Sequence, residues 1–557
     1  MRLRYYQQEA VDAVWNHVRA REDNPCVVIP TGGGKTPVIG QLCKDVVDWK
    51  GRVAVVSHVK ELLQQSFDTL QKFIPEVPTG VYSAGLKSRD LGYPVTVAGI
   101  QSVYDKAEAL GALDIIIVDE AHRIPDDGEG MYRTFLENVK KVNPNVRLIG
   151  LTATHYRMGS GMLCKPGNLL NKAVFEIGVR ELIVKGFLSP LKSKATTQRT
   201  DLSNVSIRGG EYAQGELQAA MTGDEGKVVM ACSEIAGKTD ERKSVLVFCT
   251  GIDHANMVAR FLQDLAGEDQ VRTVFGDTPD DLRAEAIASF KRGAVKFLVN
   301  VDVLTTGFDA PAVDAVAILR PTLSPGLFYQ MVGRGFRLAD GKKDCLVLDF
   351  GDNLFRHGPV DRMVITEDKK TGQVGNSGAR FKECPKCSEV LPWSCEICLE
   401  CGEKLPKAEA EVKHGDIAAD RDALSGPEKV LTTVYQKHEK DKDGRKSVTL
   451  RVNYDCGLMW PVSEFLCFEH PPGFARNKAL EWWRARSSEP VPSTIDQALE
   501  TIRTKGIKEP SQLVLKSEGK YLRVEKYIDM TFKPDPNVWL GEKTQPVDDK
   551  AFTNIPF

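Results

Sequence analysis

The run Pro30-Thr31-Gly32-Gly33-Gly34-Lys35-Thr36 follows the apolar residues Cys26 to Ile29 and precedes a helix-like pattern. Few local structures accommodate it. Consecutive glycines let successive backbone N–H groups turn inward around phosphate oxygens, and the following helix adds positive potential at its N-terminus. A lysine at that point reaches the β and γ phosphates, and a threonine can ligate Mg²⁺. We therefore read Thr31, Gly32, Gly33, Gly34, Lys35 and Thr36 as a phosphate-binding loop in shortened form, because the strict pattern would place glycine where Ile29 stands.

The loop belongs to a series. Apolar runs at 26–29, 53–57, 95–98, 115–118 and 148–151 alternate with helix-like segments, and a second series occupies 245–248, 297–299, 316–319 and 345–348. Runs apolar on both alternations suit strands buried on both faces, as in parallel sheets with helical crossovers. Two α/β units in tandem are expected. The 557 residues allow three to four domains at about 150 residues each. The expected boundaries are 1–165 and 166–365 for the α/β units, a linker at 366–382, a cysteine module at 383–405, a charged linker at 406–427 and a C-terminal domain over 428–557.

Two further clusters fit phosphoryl chemistry. Asp119-Glu120-Ala121-His122 ends the apolar run Ile115-Ile116-Ile117-Val118. Hydrolysis needs one carboxylate to hold Mg²⁺, the role expected of Asp119 beside Thr36, and a second to orient and deprotonate water, the role expected of Glu120. In Gln330-Met331-Val332-Gly333-Arg334-Gly335-Phe336-Arg337 the two arginines are three apart and would share a helix face. Arg334 and Arg337 are candidates for stabilising charge on a transferring phosphoryl group.

These motifs, in this order, resemble superfamily 2 helicases and translocases of the DEAH-box type over about two-thirds of the chain. The resemblance extends to Leu3-Arg4-Tyr5-Tyr6-Gln7, where it implies that Gln7 contacts adenine. Ser57-His58-Val59-Lys60-Glu61-Leu62 and Gln101-Ser102 are similar to strand-tracking motifs. Leu151-Thr152-Ala153-Thr154 looks like the segment that couples hydrolysis to domain movement, and Thr305-Thr306-Gly307-Phe308-Asp309-Ala310-Pro311 implies Gly307 and Asp309 facing the nucleotide. The implied fold is two tandem RecA-like domains binding ATP and Mg²⁺ between them. Val59-Lys60-Glu61-Leu62 and Ser83-Ala84-Gly85-Leu86-Lys87, with the cysteine cluster after the second domain, resemble RadD-type DNA-repair proteins. That resemblance favours single-stranded or branched DNA over RNA, with single-strand-binding or recombination proteins as partners.

Five of the 13 cysteines fall between 384 and 401. Cys384, Cys387, Cys398 and Cys401 form C-x₂-C-x₁₀-C-x₂-C, a spacing that wraps four thiolates around zinc, although Cys395 also stands three residues before Cys398. The other eight read as small buried residues. Beside the cluster, Lys382, Lys386, Trp393 and Lys404 suit either phosphate and base contact or an ordinary solvated surface.

The region over 428–557 carries mixed strand and helix signals, an α+β composition. Its segment from Phe474 to Arg486 is basic and includes Trp482 and Trp483; interleaved Arg and Trp suit single-strand contact, but adjacent tryptophans on a helix point to different sides, so at least one enters the core. The ending Ile555-Pro556-Phe557, preceded by Asp548 and Asp549, is similar to the tail of bacterial single-strand-binding proteins and suggests docking on partners that read such a tip.

Charge bounds the mode of binding. With 74 basic against 76 acidic side chains, the formal charge is −2, so any nucleic acid must be gripped in local grooves. No stretch approaches the roughly 18 apolar residues of a membrane span, and the first residues lack a secretion signal; a cytoplasmic location is expected. The expected function is an ATP-dependent motor on DNA. An ATP-gated nucleic-acid scaffold and the motor subunit of a restriction nuclease are alternatives.

Overall fold

The computed structural model describes residues 3–533 except 125–129, 155, 158–160, 197–199, 306, 361–364, 368–373, 377–380, 394, 399, 406–426, 443–444, 457–461 and 519–520. Two compact units result, Met1–Asn376 and Ser377–Phe557.

The first unit opens with helix α1 (Tyr5–Ala20) and then builds a sheet from β1 (Pro25–Val28), β2 (Val53–Ser57), β3 (Thr79–Ser83), β4 (Ser88–Arg89), β5 (Val95–Gly99), β6 (Ile115–Val118) and β7 (Arg147–Thr152). An eighth strand, Lys172–Glu176, lies outside β1, giving the order 172–176, β1, β7, β6, β2, β5, β3, β4, with only β4 antiparallel to its neighbour. Helices α2 (Lys35–Asp48) and α3 (Lys60–Phe73) follow β1 and β2. Strand β6 reads Ile-Ile-Ile-Val and is buried throughout, because helices cover both faces of a parallel sheet.

Six further strands form a second sheet, all parallel, in the order Leu191–Ala195, Cys345–Asp349, Ala315–Ile318, Val245–Phe248, Phe297–Asn300, Val271–Val274. The expected fold of two tandem RecA-like parallel-sheet domains is what the chain adopts. Its changeover is later than residue 165, however, since 172–176 pairs with β1 and the second sheet begins at Leu191.

Burial follows the pattern. The first core gathers residues such as Ile116, Val118, Phe135 and Leu148, and the second Val245, Val247, Phe297 and Leu348. Five of the eight scattered cysteines are buried, namely Cys26, Cys43, Cys232, Cys249 and Cys345, while Cys164, Cys456 and Cys467 are half-buried.

One polar network in the second core fixes a functional segment. Asp349 ends its strand buried, and its carboxylate accepts from the backbone N–H of Leu354 (2.6 Å) and Gly351 (3.1 Å) and from Asn353 Nδ2 (2.9 Å). Asn353 Oδ1 in turn accepts the Thr322 N–H at 2.9 Å. The bonds hold the approach to helix Pro325–Gly333, whose end carries Arg334. Burial raises the Asp349 carboxyl to about 6.

The second unit is α+β. An antiparallel sheet of Thr432–Lys442, Arg445–Asp455 and Val462–Leu466 and a hairpin of Ile507–Glu518 with Tyr521–Lys533 enclose helices Phe474–Arg484 and Ile495–Lys505. Trp482 and Trp483 are both buried in this core, 5% and 0% exposed. The sequence expectation that these rings could stack on bases is corrected: Trp483 donates to the Glu489 carbonyl at 3.2 Å, and Arg486 lies between the rings of Trp482 and Tyr527. The segment 555–557 and most of the linker 406–427 lie outside the described residues.

Candidate nucleotide site and cysteine cluster

Residues 30–34 link β1 to α2, with the Gly33 N–H closing a turn on the Pro30 carbonyl at 2.9 Å. Gly34 is the N-cap of α2 in the left-handed region (φ 83°). That backbone conformation strains any residue with a Cβ, and a Cβ there would also push against the Gln7 amide. No acidic side chain occupies the first turn of α2, which leaves the N–H groups of Lys35 and Thr36 facing the loop for an anion.

Gln7, the expected adenine contact, is buried against this loop. Its Nε2 donates to the Gly34 carbonyl at 3.2 Å, and its Oε1 accepts the Arg4 N–H at 2.8 Å. Tyr6 donates to the Gly33 carbonyl at 2.6 Å. The N-terminal segment thus holds the 30–34 loop through backbone carbonyls.

Asp119 and Glu120 stand at the carboxyl end of β6. Glu120 adopts a left-handed backbone (φ 52°), and its carboxylate lies 3.5 Å from Lys35 Nζ and 3.3 Å from His122 Nδ1. Despite burial, Lys35 and His122 hold Glu120 well below the usual carboxylate range. Asp119 moves the other way. Burial first, and then the Glu120 charge, raise it to about 6.

His122 joins three motifs. Its Nδ1 is 3.0 Å from Thr152 Oγ1, which itself donates to the Thr154 carbonyl at 2.7 Å. Its Nε2 is 3.1 Å from Gln330 Nε2, in the second domain. His122, Thr152 and Gln330 were not among the expected catalytic or binding residues; the only sequence signal was their place inside the motifs.

The second domain faces the loop directly. A Cβ on Gly333 would stand 3.1 Å from Thr31 Cβ, and one on Gly32 would stand 3.3 Å from Arg337 Cγ. Arg334 is buried and donates to the carbonyls of Phe308 (2.6 Å) and Thr305 (2.8 Å). Arg337 pairs with Asp309. The two arginines do not share a helix face, because the helix ends at Gly333: Arg334 is its C-cap and Arg337 lies beyond. Glycines at 333 and 335 explain the stop. Burial lowers the pKa of Arg334 to about 10, still fully charged at neutral pH. Gly307 (φ 69°) lies against the start of α3, where an added Cβ would meet Glu61 Cβ at 3.1 Å.

A polar rim follows the carboxyl ends of β2, β3 and β5. Gln101 Nε2 donates to the His58 carbonyl at 3.1 Å, and Ser102 Oγ accepts the Ala84 N–H at 3.0 Å. Lys60 and Lys87 are exposed beside it. Such ends are where open α/β sheets place ligands.

In the second unit, Cys384, Cys387, Cys398 and Cys401 bring their sulfurs within 4.8 Å of one another. Cys384 and Cys401 are 3.7 Å apart and Cys387 and Cys398 3.6 Å. A tetrahedron of Zn–S bonds of about 2.3 Å has S···S edges near 3.8 Å, so the four fit zinc. The two halves repeat each other. Cys384 N–H bonds the Glu389 carbonyl and Cys398 N–H the Glu403 carbonyl, and Ser388 (φ 56°) and Gly402 (φ 73°) hold the same left-handed position. Cys395 is buried nearby but outside the group of four.

Two protein-family models match this chain. Residues 1–157 match "Type III restriction enzyme, res subunit" and residues 226–339 match "Helicase conserved C-terminal domain". The chain is 30% identical to a putative ATP-dependent helicase, IRC3, of Saccharomyces cerevisiae, over 62% of this chain and 51% of the yeast protein. It thus spans about half the length of that relative. A 51.5 kDa protein of a Lactococcus phage is 26% identical over 86% of this chain and 99% of its own length. Among solved structures, a fragment of a putative HsdR subunit of a type I restriction enzyme from Vibrio vulnificus aligns with a TM-score of 0.49 and 22% identity, over 64% of this chain and 66% of that one. Matched in order on the two parallel-sheet domains that meet at residues 30–34, the family models make this part of the chain similar to the tandem RecA-like domains of superfamily 2 helicases.

Proposed function

We propose that the protein is a RadD-like, DNA-stimulated ATPase that translocates on single-stranded or branched DNA in repair, recombination or replication. The observation carrying this reading is the assembly of one site from two domains: Lys35 and Glu120 on one side, Arg334 and Arg337 on the other, with His122 bonded across to Gln330.

The residues suit ATP with Mg²⁺. Two adjacent buried carboxylates share a single lysine, and the burial that raises Asp119 is relieved by a cation. Thr36 and Asp119 would hold the metal, which when bound neutralises phosphate charge. Lys35 and the first N–H groups of α2 bind the phosphates. Glu120, kept ionised by Lys35 and His122, takes the proton from the attacking water. Arg334 and Arg337 stabilise charge developing on the transferred group, a contribution of about 10³ to 10⁵ in rate for such arginines.

Movement follows from the link between the domains. Loss of the γ phosphate removes the anion between Lys35 and the arginines, weakening closure. The Gln330–His122–Thr152 chain transmits that change to the segment after β7. Zinc held by Cys384, Cys387, Cys398 and Cys401 would brace the second unit. The thirteen cysteines form no disulfide, which suits a reducing compartment such as the cytoplasm, and among the described residues no helix is long and apolar enough to cross a membrane. We place single-strand-binding or recombination proteins as partners of the tail at 555–557.

A second reading, the motor subunit of a restriction system, is supported by the restriction-enzyme family model on residues 1–157. Both readings require movement along DNA, and an ATP-gated scaffold does not. Triplex displacement therefore tests the proposal. With ATP the protein should strip a third strand from duplex carrying a single-stranded loading site, and displacement no faster than without ATP contradicts it.

A further inference from the structure

Glu120 is followed by the 3₁₀ helix Ala121–Arg123, closed by N–H bonds from Arg123 to the Glu120 carbonyl (3.0 Å) and from Ile124 to that of Ala121 (3.1 Å). Its His122 points inward to Glu120, Thr152 and Gln330. Its Arg123 points the other way, to the polar rim, and is exposed.

There Arg123 Nη1 lies 2.6 Å from His58 Nε2. A guanidinium only donates, so Nε2 must accept and the imidazole must be neutral. Burial and the Arg123 charge agree, lowering His58 to about 4. Arg123 is therefore oriented by a neutral partner. Among the described residues no carboxylate lies within 4.0 Å of it.

His58 is itself part of the rim, its carbonyl holding Gln101, with exposed Lys60 two residues on. An exposed guanidinium oriented by a neutral imidazole at the carboxyl end of a parallel sheet fits a phosphodiester, whose two free oxygens match the guanidinium fork.

We propose that Arg123 is the positioning residue that reports nucleic-acid binding to Glu120: a backbone phosphate at the rim takes the guanidinium from His58, and the 3₁₀ turn carries the shift to the carboxylate. This rests on the reading of the protein as a nucleic-acid-stimulated ATPase. It adds a named route from strand to catalytic base.

The test measures ATP turnover of the full chain against oligothymidylate concentration at fixed salt, for the wild type, Arg123→Ala and Arg123→Lys. Losing one charge-assisted bond of this kind should cut the ratio of stimulated to basal turnover about tenfold in Arg123→Ala. The oligothymidylate concentration for half-maximal stimulation should rise with it, while the KM for ATP does not follow. Arg123→Lys should recover part of the ratio, since it keeps the charge without the fork. An unchanged ratio in Arg123→Ala overturns the inference and leaves the ATPase reading standing. So does a parallel fall of basal and stimulated turnover, which marks a structural role only. A wild type that hydrolyses ATP but responds to no nucleic acid overturns both.

Discussion

Glu120→Gln is expected to lower ATP turnover by about 10³-fold, within the range for loss of a positioned general base, while nucleotide binding persists. The carboxylate is largely buried, 3.5 Å from Lys35 and 3.3 Å from His122. Both neighbours favour its ionised form, and an amide of the same shape cannot accept a proton. Lys35 and the loop N–H groups, which bind phosphate, are untouched. A fluorescent nucleotide titration beside a steady-state phosphate-release assay separates the two effects. Turnover within a few-fold of wild type would remove Glu120 from the role of base. Loss of nucleotide binding would instead show that it mainly holds Lys35 in place.

The second large effect concerns the cysteine cluster. Removing zinc with a strong chelator, or replacing buried Cys398 by Ser, should unfold residues 381–405, because structural zinc supplies about 10 kcal/mol or more of folding free energy to modules of this size. The consequences should spread into the neighbouring sheet. Val434 packs among the cysteines, Glu396 N–H bonds Gln436 Oε1 at 3.3 Å, and Arg451 pairs with Glu396. Hydrogen exchange should therefore rise along 432–455 as well as in the module. Elemental analysis should find one zinc per chain, and Cys395→Ala should retain it. Unchanged exchange after complete metal removal would contradict a structural role, and zinc loss in Cys395→Ala would contradict the assignment of ligands.

Much of the tandem-sheet fold was legible where strands are buried on both faces. The apolar runs 53–57, 115–118 and 245–248 are strands with those bounds. The edge strands were not. Lys172–Glu176 and Leu191–Ala195 alternate or expose polar residues, since one side lacks a neighbour, and missing the first of them put the domain changeover too early. The turn at 30–34 before α2 and the placing of Asp119 and Glu120 at the end of β6 were legible because their signals are local in sequence.

What joins them was not. The His122–Gln330 contact spans 208 residues and the His58–Arg123 contact 65, separations that no periodicity encodes. Arg334 and Arg337 were expected to share a helix face, and the glycines between and before them end the helix instead. Adjacent Trp482 and Trp483 looked partly available, yet both enter the core because Arg486 folds back over Trp482 and helix 474–484 packs inside the second unit.

ATP hydrolysis at the shared site is expected to answer to DNA. Steady-state hydrolysis by the wild-type chain, titrated with single-stranded DNA and with RNA of equal length at one fixed salt concentration, tests it directly, because salt alone shifts such affinities by orders of magnitude. Turnover should rise at least about tenfold with DNA, beyond the response to RNA, and the rise should vanish in Glu120→Gln. Hydrolysis that is indifferent to DNA, or stimulation that survives Glu120→Gln, would contradict it.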